Sequence, residues 1–181
     1  MAEASAQIGP LQGAGLTLRL DETRQAAALR YFEAGGAFAR AVHAATGVAL
    51  PAVLGAVEAG AGELTLAWRS PRETLLLTPS AARLAQLEEQ LAGAGEGCLV
   101  NLTGGVQVLR LTGDRIADLL RRLGGTACVP AAGEARRSRL ADVPVLALCV
   151  RAGETLLVVD RGYAEHLLLW IRETLLDFPD P

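Results

Sequence analysis

The chain has 181 residues, 51% of them hydrophobic, with 17 Arg, no Lys, 20 acidic residues and a formal net charge of −3. That balance excludes a disordered tail, and the slight acidic excess with only 4% aromatics lacks the basic, stacking surface of a nucleic-acid binder. The missing lysine also removes Schiff-base catalysis and a Walker-type phosphate site.

Residues 1–15 carry neither a basic stretch nor an apolar run of signal-peptide type and are expected to form a flexible N-terminus. Leu16 to Leu20 alternates and predicts a strand, Ala27 to Phe32 predicts a second, and Gly36 to Thr46 a short helix that stops at Gly47, before Pro51. Residues 51–62, with Gly55, Gly60 and Gly62 among alanines, read as a loop. A hairpin follows over Glu63 to Arg69 and Glu73 to Thr78, where Pro71 presets φ in the turn. Ser80 caps a helix that turns Leu84, Leu87 and Leu91 inward and Arg83, Gln86 and Gln90 outward.

Cys98 to Leu102 and Val106 to Leu111 predict strands around Gly104 and Gly105. At Thr112-Gly-Asp114 the period becomes helical, with a cap expected at Asp114. Ile116, Leu119, Leu120 and Leu123 share one face, Arg115, Asp118, Arg121 and Arg122 the other, and Gly124 and Gly125 end the helix. Arg137 to Val150 and Glu154 to Asp160 predict a hairpin that leads to a last helix from Gly162 to about Asp177. Its stripe is Tyr163, Leu167, Trp170, Ile171 and Leu175, with Leu168 and Leu169 outside it. So wide an apolar girth predicts deep burial or contact with another chain.

The segment Glu73-Thr-Leu-Leu-Leu-Thr78 returns 81 residues later as Glu154-Thr-Leu-Leu-Val-Val159. Leu29-Arg30 through Pro51 has a counterpart in Leu109-Arg110 through Pro130, at an offset of about 80. Each copy keeps the order strand, helix, loop, hairpin, helix. The pattern predicts one domain over residues 16–178 made of two related halves, about 16–95 and 96–178. Strands grouped around helices without βαβ alternation place the fold in the α+β class, as a duplicated two-lobed unit of antiparallel sheets covered by helices on one side.

Catalytic chemistry is sparse. His43 and His166 each stand alone on a predicted helix, with no second ligand at i+3 or i+4, so no metal residue is assigned. Cys98, Cys128 and Cys149 are widely spaced, odd in number and set among apolar residues, which predicts reduced thiols packed as small hydrophobes. The glycines of Gln12-Gly-Ala-Gly15 and Gly93-Ala-Gly-Glu-Gly97 precede strands and open no helix, so they read as turns and no cofactor-binding residue is assigned. Glu88 and Glu89 lie on a solvated helix face, and no catalytic residue is assigned. The run Arg136-Arg-Ser-Arg139, with Arg121 and Arg122 expected near it, reads as a solvated strand edge or as a dock for an acidic partner or carboxylated ligand. No apolar run approaches the ~20 residues of a membrane helix, and a cytoplasmic location without membrane or nucleic-acid partners is expected.

Three stretches in succession carry a family likeness: Val100-Asn-Leu-Thr-Gly-Gly-Val-Gln-Val-Leu-Arg-Leu-Thr-Gly113, Arg139-Leu-Ala-Asp-Val-Pro-Val-Leu-Ala-Leu148 and Val159-Asp-Arg-Gly-Tyr-Ala-Glu-His166. With the hairpin Ser70-Pro-Arg-Glu-Thr-Leu-Leu-Leu77, they resemble the gamma subunit family of heterotetrameric sarcosine oxidase. One departure is Thr74, where an aromatic often follows the hairpin glutamate in that family. The resemblance implies the fold of the folate-binding aminomethyltransferases, with two related subdomains that exchange their first strands. It also implies a non-catalytic, structural subunit of a complex that demethylates sarcosine oxidatively to glycine and passes the one-carbon unit to tetrahydrofolate. The implied partners are the alpha, beta and delta subunits. FAD, FMN, NAD and tetrahydrofolate would sit on the larger partners, zinc on the smallest, and no cofactor on this chain. The alternatives are a free-standing folate or one-carbon binding protein and a homo-oligomer without a small ligand.

Overall fold

A computed structural model describes residues 11–13 and 15–178. In chain order the elements are β1 (Leu11–Gly13), β2 (Leu16–Leu20), β3 (Gln25–Tyr31), α1 (Ala37–Thr46), β4 (Ala56–Ala59), β5 (Leu64–Ser70), β6 (Glu73–Thr78) and α2 (Ala81–Leu91). They continue as β7 (Gly97–Asn101), β8 (Val106–Gly113), α3 (Ile116–Gly124), β9 (Glu134–Leu140), β10 (Val143–Arg151), β11 (Glu154–Asp160) and α4 (Arg161–Leu176). Short 3-10 turns cover Gly60–Gly62 and Thr126–Cys128.

The strands form two antiparallel sheets, one ordered β4-β5-β6-β3-β7 and the other β1-β2-β8-β11-β10-β9. Read from β4 and from β9, the orders match strand for strand, so the series β2 to α2 recurs as β7 to α4. Each series lends its first strand to the other sheet: β2 pairs with β8, and β7 pairs with β3. This is the strand exchange that the family likeness implied. The registers refine the internal repeat, since Thr74 faces Leu29 and Thr155 faces Leu111. Leu111, two residues beyond Leu109, is therefore the structural counterpart of Leu29.

Three apolar clusters stack the molecule in four layers. Leu29, Leu66 and Leu76 meet Phe38, Val42, Leu84 and Leu87 of α1 and α2 on the outside of the first sheet. Leu109, Ala147 and Leu157 meet Leu119, Leu120, Leu167 and Ile171 of α3 and α4 on the outside of the second. Between the sheets, Ala26, Leu75 and Leu77 pack against Leu146, Leu148, Leu156 and Val158. Alternate residues of one strand thus enter different cores, and β6 and β11 read as unbroken apolar runs because both their faces are covered. Helices cover one side of each sheet, as expected, and the other side of each meets the neighbouring sheet through that inner cluster.

Local differences from the expected elements have local causes. The segment 51–62 is not all loop: β4 forms there because Ala56 to Ala59 pair with Leu64 to Ala67, a strand state imposed by its neighbour against the flanking glycines. The stretch Arg137 to Val150 is two strands. It breaks at Ala141 and Asp142, whose φ angles of 46° and 62° make a tight turn that Ala and Asp seldom announce. Arg115, not Asp114, is the N-cap of α3, and no side chain caps it. On α4 the buried face is Ala164, Leu167, Leu168 and Ile171, while Tyr163 and Trp170 are exposed. Ala164 lets the helix sit close to the sheet, and that rotates the two aromatics outward. The expectation for residues 1–15 falls largely outside the described residues; within it, Leu11–Gly13 pairs with β2. Pro71 and Arg72 turn the β5–β6 hairpin, and Ser80 Oγ accepts from Arg83 N, both as expected.

Candidate functional site

The two histidines are exposed and lie in opposite outer layers, His43 on α1 and His166 on α4, where its ring meets Trp170 edge-on at 6.5 Å. The cysteines are equally dispersed. Cys128 is buried, with Sγ 2.7 Å from Ser138 Oγ and 2.8 Å from Gly124 O. Cys149 is buried in β10, and burial pushes its thiol pKa up. Cys98, expected to be packed away, is exposed on β7 because β7 closes its sheet. No group of three His, Cys, Asp or Glu that could hold a metal ion occurs among the described residues.

The basic run occupies β9, an edge of its sheet as expected. Much of its charge is met locally. Arg136 donates to Glu134 Oε2 at 2.7 Å, and the Ala131 N–H and Arg136 together hold that carboxyl below its ordinary pKa. Arg139 lies 3.9 Å from the Asp142 carboxylate, Arg121 pairs with Asp118 at 3.0 Å, and Arg122 stacks on Phe178. Arg137 faces the gap between the sheets, where Arg69, Leu102, Val106, Leu146 and Asp160 complete a cleft of about 60 Å³. That volume admits about two waters, against the 300 Å³ and more of pockets that enclose small molecules. The cleft does not fit a folate.

A larger open groove, about 680 Å³, lies where β3, the β5–β6 turn and β7 meet. Phe32 projects there with 64% exposure, and the Arg72 guanidinium sits 5.6 Å from its ring centre. Nothing in the residue pattern marked this groove except an apolar Phe32 stranded between a strand and the turn at Glu33 to Gly36.

An ion network, also missed, joins the exchanged strand to both sheets. The Asp21 carboxylate, just past β2, meets Arg24 at 3.3 Å and Arg110 of β8 at 3.0 Å. Arg110 continues to Glu154 at 3.3 Å, Glu154 to Arg151 at 3.5 Å, and Arg151 to Glu58 of β4 at 3.4 Å. Burial alone would raise the Asp21 pKa, but hydrogen bonds from Thr23 and Arg110 and the charges of Arg24 and Arg110 outweigh it, so the net shift is downward. A carboxyl whose folded pKa lies below its unfolded one contributes stability above the unfolded value and loses it as pH falls through the folded value. Asp21→Asn is therefore expected to lower stability by about 1–3 kcal/mol at pH 7. The difference from the parent should shrink below about pH 4, as read from urea unfolding across that range. Only the Asp21–Arg24 spacing hinted at this hub, because Arg110 arrives through the strand exchange.

A further surface feature is the outer side of α4, where Tyr163, Leu169, Trp170 and Leu176 are each more than half exposed. The chain matches the model of the sarcosine oxidase, gamma subunit family over residues 30–176. It belongs to that family. Among its relatives, sarcosine oxidase subunit gamma from Arthrobacter sp. is 30% identical over 152 residues, covering 81% of this chain and 74% of that one. The Corynebacterium sp. (strain P-1) subunit is 28% identical, covering 98% and 88%. A solved structure of heterotetrameric sarcosine oxidase from Corynebacterium sp. U-96, in complex with pyrrole 2-carboxylate, superposes with a TM-score of 0.81 at 27% identity. The match covers 93% of this gamma-family chain and 87% of the solved one. The glycine cleavage aminomethyltransferase T from Bartonella henselae shares the fold at a TM-score of 0.62 and 16% identity, over 88% of this chain and 46% of that one.

Proposed function

We propose that this chain is the gamma subunit of a sarcosine oxidase complex and that its role there is assembly rather than chemistry. The complex would oxidise sarcosine to glycine through flavin, with the one-carbon unit passing to tetrahydrofolate. FAD, FMN, NAD, tetrahydrofolate and zinc would be held by the alpha, beta and delta partners, in the cytoplasm. Among the described residues no helix is long and apolar enough to cross a membrane.

Family membership supports the complex, and the outer face of α4 carries the assembly role. Tyr163, Leu169, Trp170 and Leu176 expose apolar surface on the last helix, while the opposite side of that helix already fills the core. Large apolar side chains held in the open on an ordered helix mark a contact surface. Co-expression with the alpha, beta and delta subunits should yield one co-purifying assembly, and failure of this chain to associate would reject the proposal. The alternative, a free-standing folate binder, draws support from the open groove at Phe32 and Arg72. Calorimetry of the isolated chain with a reduced folate separates the two, since micromolar binding favours the alternative.

A further inference from the structure

The two sheets differ in one respect: β1 covers the outer edge of β2, whereas the equivalent place beside β7 is empty among the described residues. The pairs Phe32 N to Glu96 O and Leu102 N to Ala26 O fix the hydrogen-bonding phase of β3 and β7. By alternation, Cys98 and Val100 bond to β3, and the N–H and C=O groups of Leu99 and Asn101 point outward.

The other three sheet edges are protected. β1 is three residues long, β9 carries Arg136, Arg137 and Arg139, and β4 is four residues long and tied to Glu134 through a bridge from Gly55. β7 has the sequence Gly-Cys-Leu-Val-Asn, with no charge, no proline and no bulge. Soluble chains blunt such edges unless something covers them. We infer that the outer edge of β7 is a docking edge that takes an extended, uncharged segment of a partner subunit as a sixth strand, antiparallel as β1 is to β2. The inference rests on the reading of this chain as one subunit of a complex. A strand antiparallel to β7 ends at Gly97, so its C-terminal residues enter the groove by Phe32 and Arg72. A second copy of this chain is the poorer occupant. Five residues span only ~17 Å at ~3.4 Å each, too little for the ~800 Å² per partner of a stable interface, whereas a subunit held elsewhere needs no more.

Hydrogen exchange of the whole chain, free and in the co-purified complex, tests this. The Leu99 and Asn101 amides should exchange at least ~10-fold more slowly in the complex, as paired edge amides do. Leu99→Pro removes an outward N–H that β3 does not use, and Cys98→Lys places a charge on the edge. Each should weaken association; Cys98→Lys, on an exposed side chain, should leave the thermal unfolding of the isolated chain close to the parent's, whereas Leu99→Pro also loses the packing of Leu99 against the outer cluster and lowers it. A complex that forms with these amides unprotected and with both variants incorporated normally overturns the edge while leaving the assembly role intact. Absence of any complex overturns both. Concentration-dependent protection of these amides in the isolated chain would overturn it in favour of self-pairing.

Discussion

Gly113→Val is expected to lower the stability of the chain by about 3–5 kcal/mol, a fall in Tm of roughly 6–20 °C. Gly113 lies at φ +128°, and a Cβ there would run into the carbonyl oxygen of Gly15 and stand 3.2 Å from Leu16 Cα. Both contacts are backbone, so no side-chain rotation relieves them; β2 must move away from β8. That displacement pulls Leu16 and Leu18 out of the core they share with Leu109 and Leu111. Gly104→Val provides the comparison, because Gly104 also has positive φ, +86°, but nothing lies within 4 Å of its added Cβ. It carries backbone strain alone, about 1–3 kcal/mol. Equal midpoints for the two variants in urea unfolding would show that the close approach of β2 to β8 is not what requires glycine.

Leu169→Glu combined with Trp170→Glu is expected to abolish co-purification with the partner subunits while leaving the isolated chain folded. The side chains are 53% and 51% exposed and take no part in the apolar clusters, so charging them leaves Ala164, Leu167 and Ile171 in place. A buried interfacial tryptophan contributes about 2–4 kcal/mol on truncation, roughly 30- to 1000-fold in affinity, and a desolvated charge in its place adds to the loss. Pull-down from co-expressing cells, with the thermal unfolding of the isolated variant as control, reads the result. Normal recovery of the complex would place the contact on another surface.

Strands, helices and duplication were legible because their signals are local. Pro71 marks a turn, Ser80 a cap, and the return of Glu-Thr-Leu-Leu at Glu154 a second copy. Partnership was not legible. Leu75 to Leu77 reads as a buried strand, but nothing in three leucines says that Leu76 faces helices while Leu75 and Leu77 face a second sheet. The turn at Ala141 and Asp142 lacked glycine or asparagine, so two strands read as one. On α4 the aromatics Tyr163 and Trp170 attracted the stripe, although small Ala164 decides which side can approach the sheet. The exchange of first strands came from the family likeness, since no residue of β2 records that its partner is β8. The candidate surfaces share this origin: Asp21 meets Arg110, and β7 becomes an edge, only once the strands have changed sheets.

The exchange also sets an order of events during synthesis. β2 leaves the ribosome well before β8, and Leu18 cannot pair with Leu111 until the residues between them have followed it. At about 5–20 residues per second that is a wait of several seconds, and the first sheet likewise stays incomplete until β7 emerges. Once β7 is out, the first sheet has all its strands, whereas the second must still recruit β2 from across the first half. The duplicated units therefore do not fold independently as tandem domains do, and contacts this distant in sequence slow the closing of the second sheet. An apolar strand left waiting is a natural substrate for a holding chaperone.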